Sequence, residues 1–148
     1  MLRTTIYVIV LVTVGGCVTP KYGSFVETTP AIEQELARDA ARQLLEMFPP
    51  ARTEFVVPAA SEDTGLNRRL ATILRGQGYA LAEAPSSTDS NERSKDRSSR
   101  HNLRYVLDAM GEDDLHRLSL LVDNRRISRV FQFTNDGTAP YGPWSVAE

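Results

Sequence analysis

The chain has 148 residues, 41% hydrophobic and 24% charged, a composition that suits one globular domain and excludes both a disordered tail and a polytopic membrane protein. A formal net charge of −2 gives no electrostatic footprint for direct nucleic-acid binding. The single cysteine, Cys17, cannot form a disulfide within the chain, so its position has to explain its presence.

Residues 1–16 read as a cleavable signal. Arg3 supplies the positive start, and Thr4 to Val14 is uncharged and mostly aliphatic or β-branched. That run is too short for a spanning helix, which needs about 20 apolar residues. Val14-Gly15-Gly16-Cys17 resembles the bacterial lipobox, with Val14 in place of the more usual leucine. The resemblance implies that Cys17 becomes the first residue and carries acyl chains. Each CH₂ they bury contributes roughly 0.8 kcal/mol to anchoring. Without residues 1–16 the chain has 16 basic and 19 acidic side chains, a charge of −3. By analogy with lipoprotein sorting, Val18-Thr19 after the cysteine, with no aspartate, points to the outer membrane.

Residues 17–29 are expected to be a lipidated tether, because Pro20 and Gly23 interrupt regular structure. Tyr22, Phe25 and Val26 are apolar for a spacer. They either cover the edge of their own domain or contact a partner near the membrane.

A single domain over 30–148 follows. Thr29 suits a helix N-cap and Pro30 the first turn, and Glu33 and Glu35 favour its positive end. Ile32, Leu36, Ala40 and Leu44 recur every four residues, with Ala37, Ala41, Leu45 and Phe48 widening the stripe, until Pro49-Pro50 stops it. Thr53 to Val57 reads as a strand. A second helix carries Leu66, Leu70, Ile73 and Leu74 on its apolar face, with Ser61 or Asp63 as cap and Gly76 and Gly78 at its end. Tyr79 to Leu81 begins another strand, parallel to the first. Residues 85–102 contain no aliphatic or aromatic side chain and are expected to form a disordered insert.

Three antiparallel strands are predicted next. Their faces are Leu103, Tyr105, Leu107 and Ala109; Leu118, Leu120 and Val122; and Ile127, Phe131 and Phe133. Val106, Leu121 and Val130 fall on the opposite face, to be covered by an end segment or by another subunit. The tail holds Gly137, Pro140, Gly142, Pro143 and Trp144. Trp144 either plugs the edge of the sheet or anchors an interface. Together these elements predict an α+β, two-layer sandwich, with two helices on one face of a mixed sheet of about five strands.

No site for chemistry emerges. His101 belongs to the polar run and is expected to be solvated, whereas His116 starts a strand and is expected to pack. No set of His, Cys, Asp and Glu has metal-ligand spacing, and Gly76-Gln77-Gly78 ends a helix where a phosphate loop would begin one. The chain is therefore expected to be no enzyme and to need no metal or cofactor beyond the acyl lipid on Cys17.

Four stretches resemble the TrbH family of conjugal-transfer lipoproteins, components of type IV secretion machines. They are Val14 to Cys17, Phe25-Val26 before the first helix, the helix end from Gln43 to Thr53, and the turn from Leu74 to Ala80. Gly142-Pro143-Trp144 fits as well. The resemblance implies a structural subunit on the periplasmic face of the outer membrane, pinning the core complex of a conjugation channel through its acyl chains. It also implies contacts with other core subunits, a homo-oligomeric ring, and a small ring-forming domain like those of secretins. The alternative is a stand-alone pilot lipoprotein that helps another envelope complex assemble.

Overall fold

The first helical period becomes α1, Pro30–Met47, in a computed structural model that describes residues 22–58, 65–84, 99–111, 114–135 and 137–148. The expected signal, the lipobox with Cys17, the cap at Ser61 or Asp63 and most of the polar run lie outside the described residues. Thr29 caps α1 as its sequence predicts, its hydroxyl accepting from the Ile32 N–H at 3.3 Å. Ile32, Leu36, Ala37, Ala40, Ala41 and Leu44 are buried. Leu45, predicted to widen the stripe, is instead 41% exposed, because the stripe is narrower there than a residue count suggests. After Pro49 a single 3-10 turn, Pro50–Arg52, carries the chain into the first long strand pairing.

The second helix, α2, spans Gly65–Gly76. Its end explains the Leu74–Ala80 stretch. Gly78 takes a left-handed φ of 90°, the Tyr79 N–H reaches back to the Leu74 carbonyl at 3.1 Å, and the Gly78 N–H reaches the Arg75 carbonyl at 3.0 Å. This is the paired closure of a Schellman motif, with Leu74 and Tyr79 supplying the apolar contact that accompanies it. The Tyr79 hydroxyl then donates to the Phe48 carbonyl at 2.6 Å, and the Tyr79 ring lies 5.2 Å from that of Phe55. The two helix ends are thus tied to each other through one tyrosine.

Among the described residues seven strands form the sheet, where about five were predicted: β1 Gly23–Ser24, β2 Glu54–Val57, β3 Ala80–Glu83, β4 Arg100–Ala109, β5 Leu115–Val122, β6 Arg125–Thr134 and β7 Gly137–Ala147. Their order is β3-β2-β4-β5-β6-β7, with β1 also on β4. The sheet is mixed, as predicted. β3, β2, β4 and β1 run parallel, and β4 to β7 form an antiparallel meander. β4 joins the two halves: residues 100–102 pair with β2, and residues 103–109 pair with β5.

Two strands account for the difference. β1 lies within the 17–29 stretch and is too short to show a period. β7 was read as an irregular tail because of its prolines and glycines, yet it pairs with β6 along almost its whole length. An edge strand tolerates proline, since one of its sides needs no N–H donor. Gly142, Pro143 and Trp144 lie between Tyr141, opposite Val130, and Ser145, opposite Ser128, so three residues of β7 face the single Arg129 of β6. This bulge uses Gly142 at φ 97°. Arg129 holds it in place, donating from Nε to the Gly142 carbonyl and from Nη1 to Asp39 of α1, both at 2.8 Å.

α1 and α2 pack against each other and share one core with the inner faces of β2, β4, β5 and β6: Phe55 and Val57; Leu103, Tyr105 and Leu107; Leu118, Leu120 and Val122; Ile127 and Phe131. Full burial of each leucine, isoleucine or phenylalanine side chain is worth roughly 1.5–3 kcal/mol. The two-layer α+β prediction therefore holds.

Candidate interaction surface

The apolar alternation that gives one face of the meander to the helices gives the other face to solvent. Residues directly opposite in an antiparallel ladder point the same way, so the register defines rows across the strands. On the open face these are Arg104, Leu121 and Arg126; then Val106, Ser119, Ser128 and Ser145; then Asp108, Arg117, Val130 and Tyr141. No described element lies over them. Val106, Leu121 and Val130, the apolar residues predicted for this side, are half-buried. Ser119 is only 4% exposed because longer side chains flank it in the adjacent rows. Tyr141 stands 63% exposed at the β7 end. Arg117 donates from Nε to Asp108 Oδ1 at 3.2 Å, and its Nη2 pairs with the other carboxylate oxygen. That row is therefore neutral.

Where the described chain begins, the surface changes character. Tyr22, Asn102, Arg104, Leu121, Asp123 and Asn124 line a shallow depression of about 340 Å³. The Arg104 guanidinium stacks over the Tyr22 ring at 4.5 Å, a cation–π contact. Asp123, at φ 52° in the β5–β6 turn, accepts from the Asn102 N–H at 2.8 Å and lies 2.7 Å from His101 Nδ1. Partial burial pushes the Asp123 carboxyl up. The hydrogen bonds from Asn102 and His101, together with the nearby histidine, outweigh that effect and leave it below its ordinary value.

His101 is a correction. Expected in a solvated insert, it is the second residue of β4, with its ring 5.5 Å from that of Phe48. Composition concealed this, because residues 100–102 are polar but pair with β2. The contact with Asp123 ties that turn to β4. His116 stacks on Phe133 with ring centroids 3.8 Å apart, in keeping with the packing expected of it. Among the described residues, no group of three or more His, Cys, Asp and Glu is placed to hold a metal ion. No helix of the described residues is long and apolar enough to cross a membrane.

The residues singled out for partner contact do not form one patch. Tyr22 to Val26 lie along β4. There the Phe25 N–H donates to the Leu107 carbonyl at 2.9 Å and the Phe25 side chain is 46% exposed, while Val26 packs on the core. Trp144 belongs to β7, three strands away. It is partly buried against the core and meets Phe131 edge-to-face at 6.3 Å between centroids. Val14, Gly15, Gly16 and Cys17 lie outside the described residues. Sequence reasoning missed the Arg104–Leu121–Arg126 row. Alternation alone places each of the three on the outer face, but only the register makes them neighbours.

Comparison with known proteins gives one family. The sequence model described as "Conjugal transfer protein TrbH" matches residues 19–148. No curated protein and no solved structure matches the chain.

Proposed function

The chain belongs to the TrbH family of conjugal transfer proteins, and from that premise we propose that it is a structural lipoprotein of a conjugative type IV secretion channel, held in the outer membrane by acyl chains on Cys17. The observation that carries this reading is the coincidence of two boundaries. The family match begins at residue 19, two residues after the cysteine of Val14-Gly15-Gly16-Cys17. A signal of lipobox type thus leads directly into a conjugal transfer domain. The acyl chains supply membrane affinity, the residues after Cys17 supply reach, and the α+β domain supplies contacts with other core subunits. Several copies in a ring would share the anchoring by avidity. The role is one of binding rather than catalysis.

The Cys17→Ser substitution tests the anchor. Palmitate labelling in the native host should be lost, and the protein should leave the membrane fraction or accumulate as precursor. Normal labelling of the variant would refute the assignment of the acyl site. Affinity isolation of the acylated protein in mild detergent, followed by mass spectrometry, tests the assembly. Co-purification of channel subunits in a high-mass complex is the expected result. A monomer that brings down no channel component would overturn the channel role.

A further inference from the structure

We propose that the arginine end of the open sheet face binds the phosphate groups of anionic phospholipids in the membrane that holds Cys17. The inference rests on the acylation proposed above. Arg104 and Arg126 flank Leu121 in one row across β4, β5 and β6. Both arginines are exposed, and neither makes an ion pair among the described residues. Three described carboxylates on or beside these strands have other partners: Asp123 has His101 and the Asn102 N–H, Glu148 has Arg125 at 3.1 Å, and Asp108 has Arg117. Among the described residues the row therefore carries two exposed arginines without ion pairs, in a protein whose overall charge is negative.

Chain length places this charge near lipid. Tyr22, where the described domain begins, forms one wall of the depression beside Arg104 and lies five residues after Cys17. Five residues span at most about 18 Å when fully extended. An acylated Cys17 at the bilayer surface cannot be further than that from Tyr22, and the Arg104 guanidinium is 4.5 Å from the Tyr22 ring. The two arginines sit two strand spacings apart, roughly 9–10 Å, so each can engage its own headgroup. Guanidinium suits the task because its planar fork of N–H donors matches phosphate oxygens in pairs. Leu121 between them and the Tyr22 ring supply the apolar floor and the amphipathic edge that interfacial contacts favour.

The test uses the full-length acylated protein in vesicles of phosphatidylcholine alone or of an equimolar mixture with phosphatidylglycerol. Phenylglyoxal modification of individual arginines is followed by mass spectrometry. Arg42, 72% exposed on α1 in the other layer, is the internal reference. Modification of Arg104 and Arg126 should slow about fivefold in the anionic vesicles, the ratio one arginine contributes at such a surface. Arg42 should be unchanged, and salt should reverse the protection. The R104Q/R126Q variant should stay on both vesicle types through its acyl chains while losing the salt-sensitive difference between them. Equal rates in the two vesicles, or equal slowing at Arg42, would overturn the proposal. Protection that arises only when a channel subunit is added would also overturn it, by assigning the row to a protein partner. Failure of Cys17 acylation reads out separately, because the protein would then not float with phosphatidylcholine vesicles at all.

Discussion

The two faces of the sheet divide the labour of this chain. On the helix side lie three of the stretches that resemble the TrbH family, the end of α1, the turn from Leu74 to Ala80 and Gly142-Pro143-Trp144, and each has a task in holding the fold. The Phe48-Pro49-Pro50 stop accepts a hydrogen bond from Tyr79, which closes the Schellman turn after Leu74. Gly142-Pro143-Trp144 forms a bulge clasped by Arg129, which α1 holds through Asp39. Glu35 of α1 accepts from the backbone N–H and the hydroxyl of Thr138 on β7, and those two bonds hold its carboxyl below the ordinary range. Among the described residues the opposite face has no covering layer, and its rows hold small, half-buried and charged side chains with Tyr141 exposed at one end. Three of the short stretches that resemble the family therefore serve the fold, and the open face carries none of them.

Substitutions on the two sides should differ accordingly, and the largest contrast is in the core. Leu36→Ala empties a fully buried position between α1 and the sheet and should cost about 2–5 kcal/mol in urea unfolding. If it cost no more than Leu121→Ala on the open face, the division would fail. Tyr79→Phe removes the hydroxyl bonded to the Phe48 carbonyl and should cost about 1–2 kcal/mol. It also carries a pH signature. Burial raises the Tyr79 phenol above its ordinary value of 10.0, so the folded state holds that proton more tightly than the unfolded chain. The contribution is fully present below pH 10.0 and is lost as pH rises through the raised folded value. The stability difference between wild type and Tyr79→Phe should be constant at neutral pH and should change only above that point. Gly78→Ala places a Cβ at φ 90° and should cost about 1–2 kcal/mol by the same measurement. Smallest of all, the R104Q/R126Q pair should shift stability by less than about 1 kcal/mol, since neither side chain has an ion pair among the described residues and Arg104 has only its cation–π contact with Tyr22 to lose. A larger loss would mean that the open face supports the fold after all.

Much of the fold was legible because its signals are local. The four-residue period of Ile32, Leu36, Ala40 and Leu44, the Thr29 cap and the Pro49-Pro50 stop all act within one or two turns of chain. The inner faces of β4 to β6 follow largely from alternation, although Ala109 is exposed and Arg129 interrupts the inner row of β6 to reach Asp39. The misreadings share a cause. β7 looked irregular because Pro140, Gly142 and Pro143 break local rules that an edge strand with a bulge relaxes. His101 looked solvated because a polar tripeptide shows no period, yet β2 recruits it from nearly fifty residues away. Of the contact surface, sequence marked Tyr22 but not Arg104, which stacks on it, nor Arg126.

From its sequence alone the chain shows a lipobox-like stretch ending in Cys17, two helices, alternating strands and the family resemblance. These rest on covalent order and on contacts between near neighbours, which a linear pattern records directly. Tertiary structure decided the strand order, the parallel docking of β1 and β2 on β4, the bulge under Trp144, and the pairing of Arg104 with Arg126 across Leu121. Those features join residues far apart in the chain. Alternation tells each side chain which face to take, but only pairing register decides which residues become its neighbours.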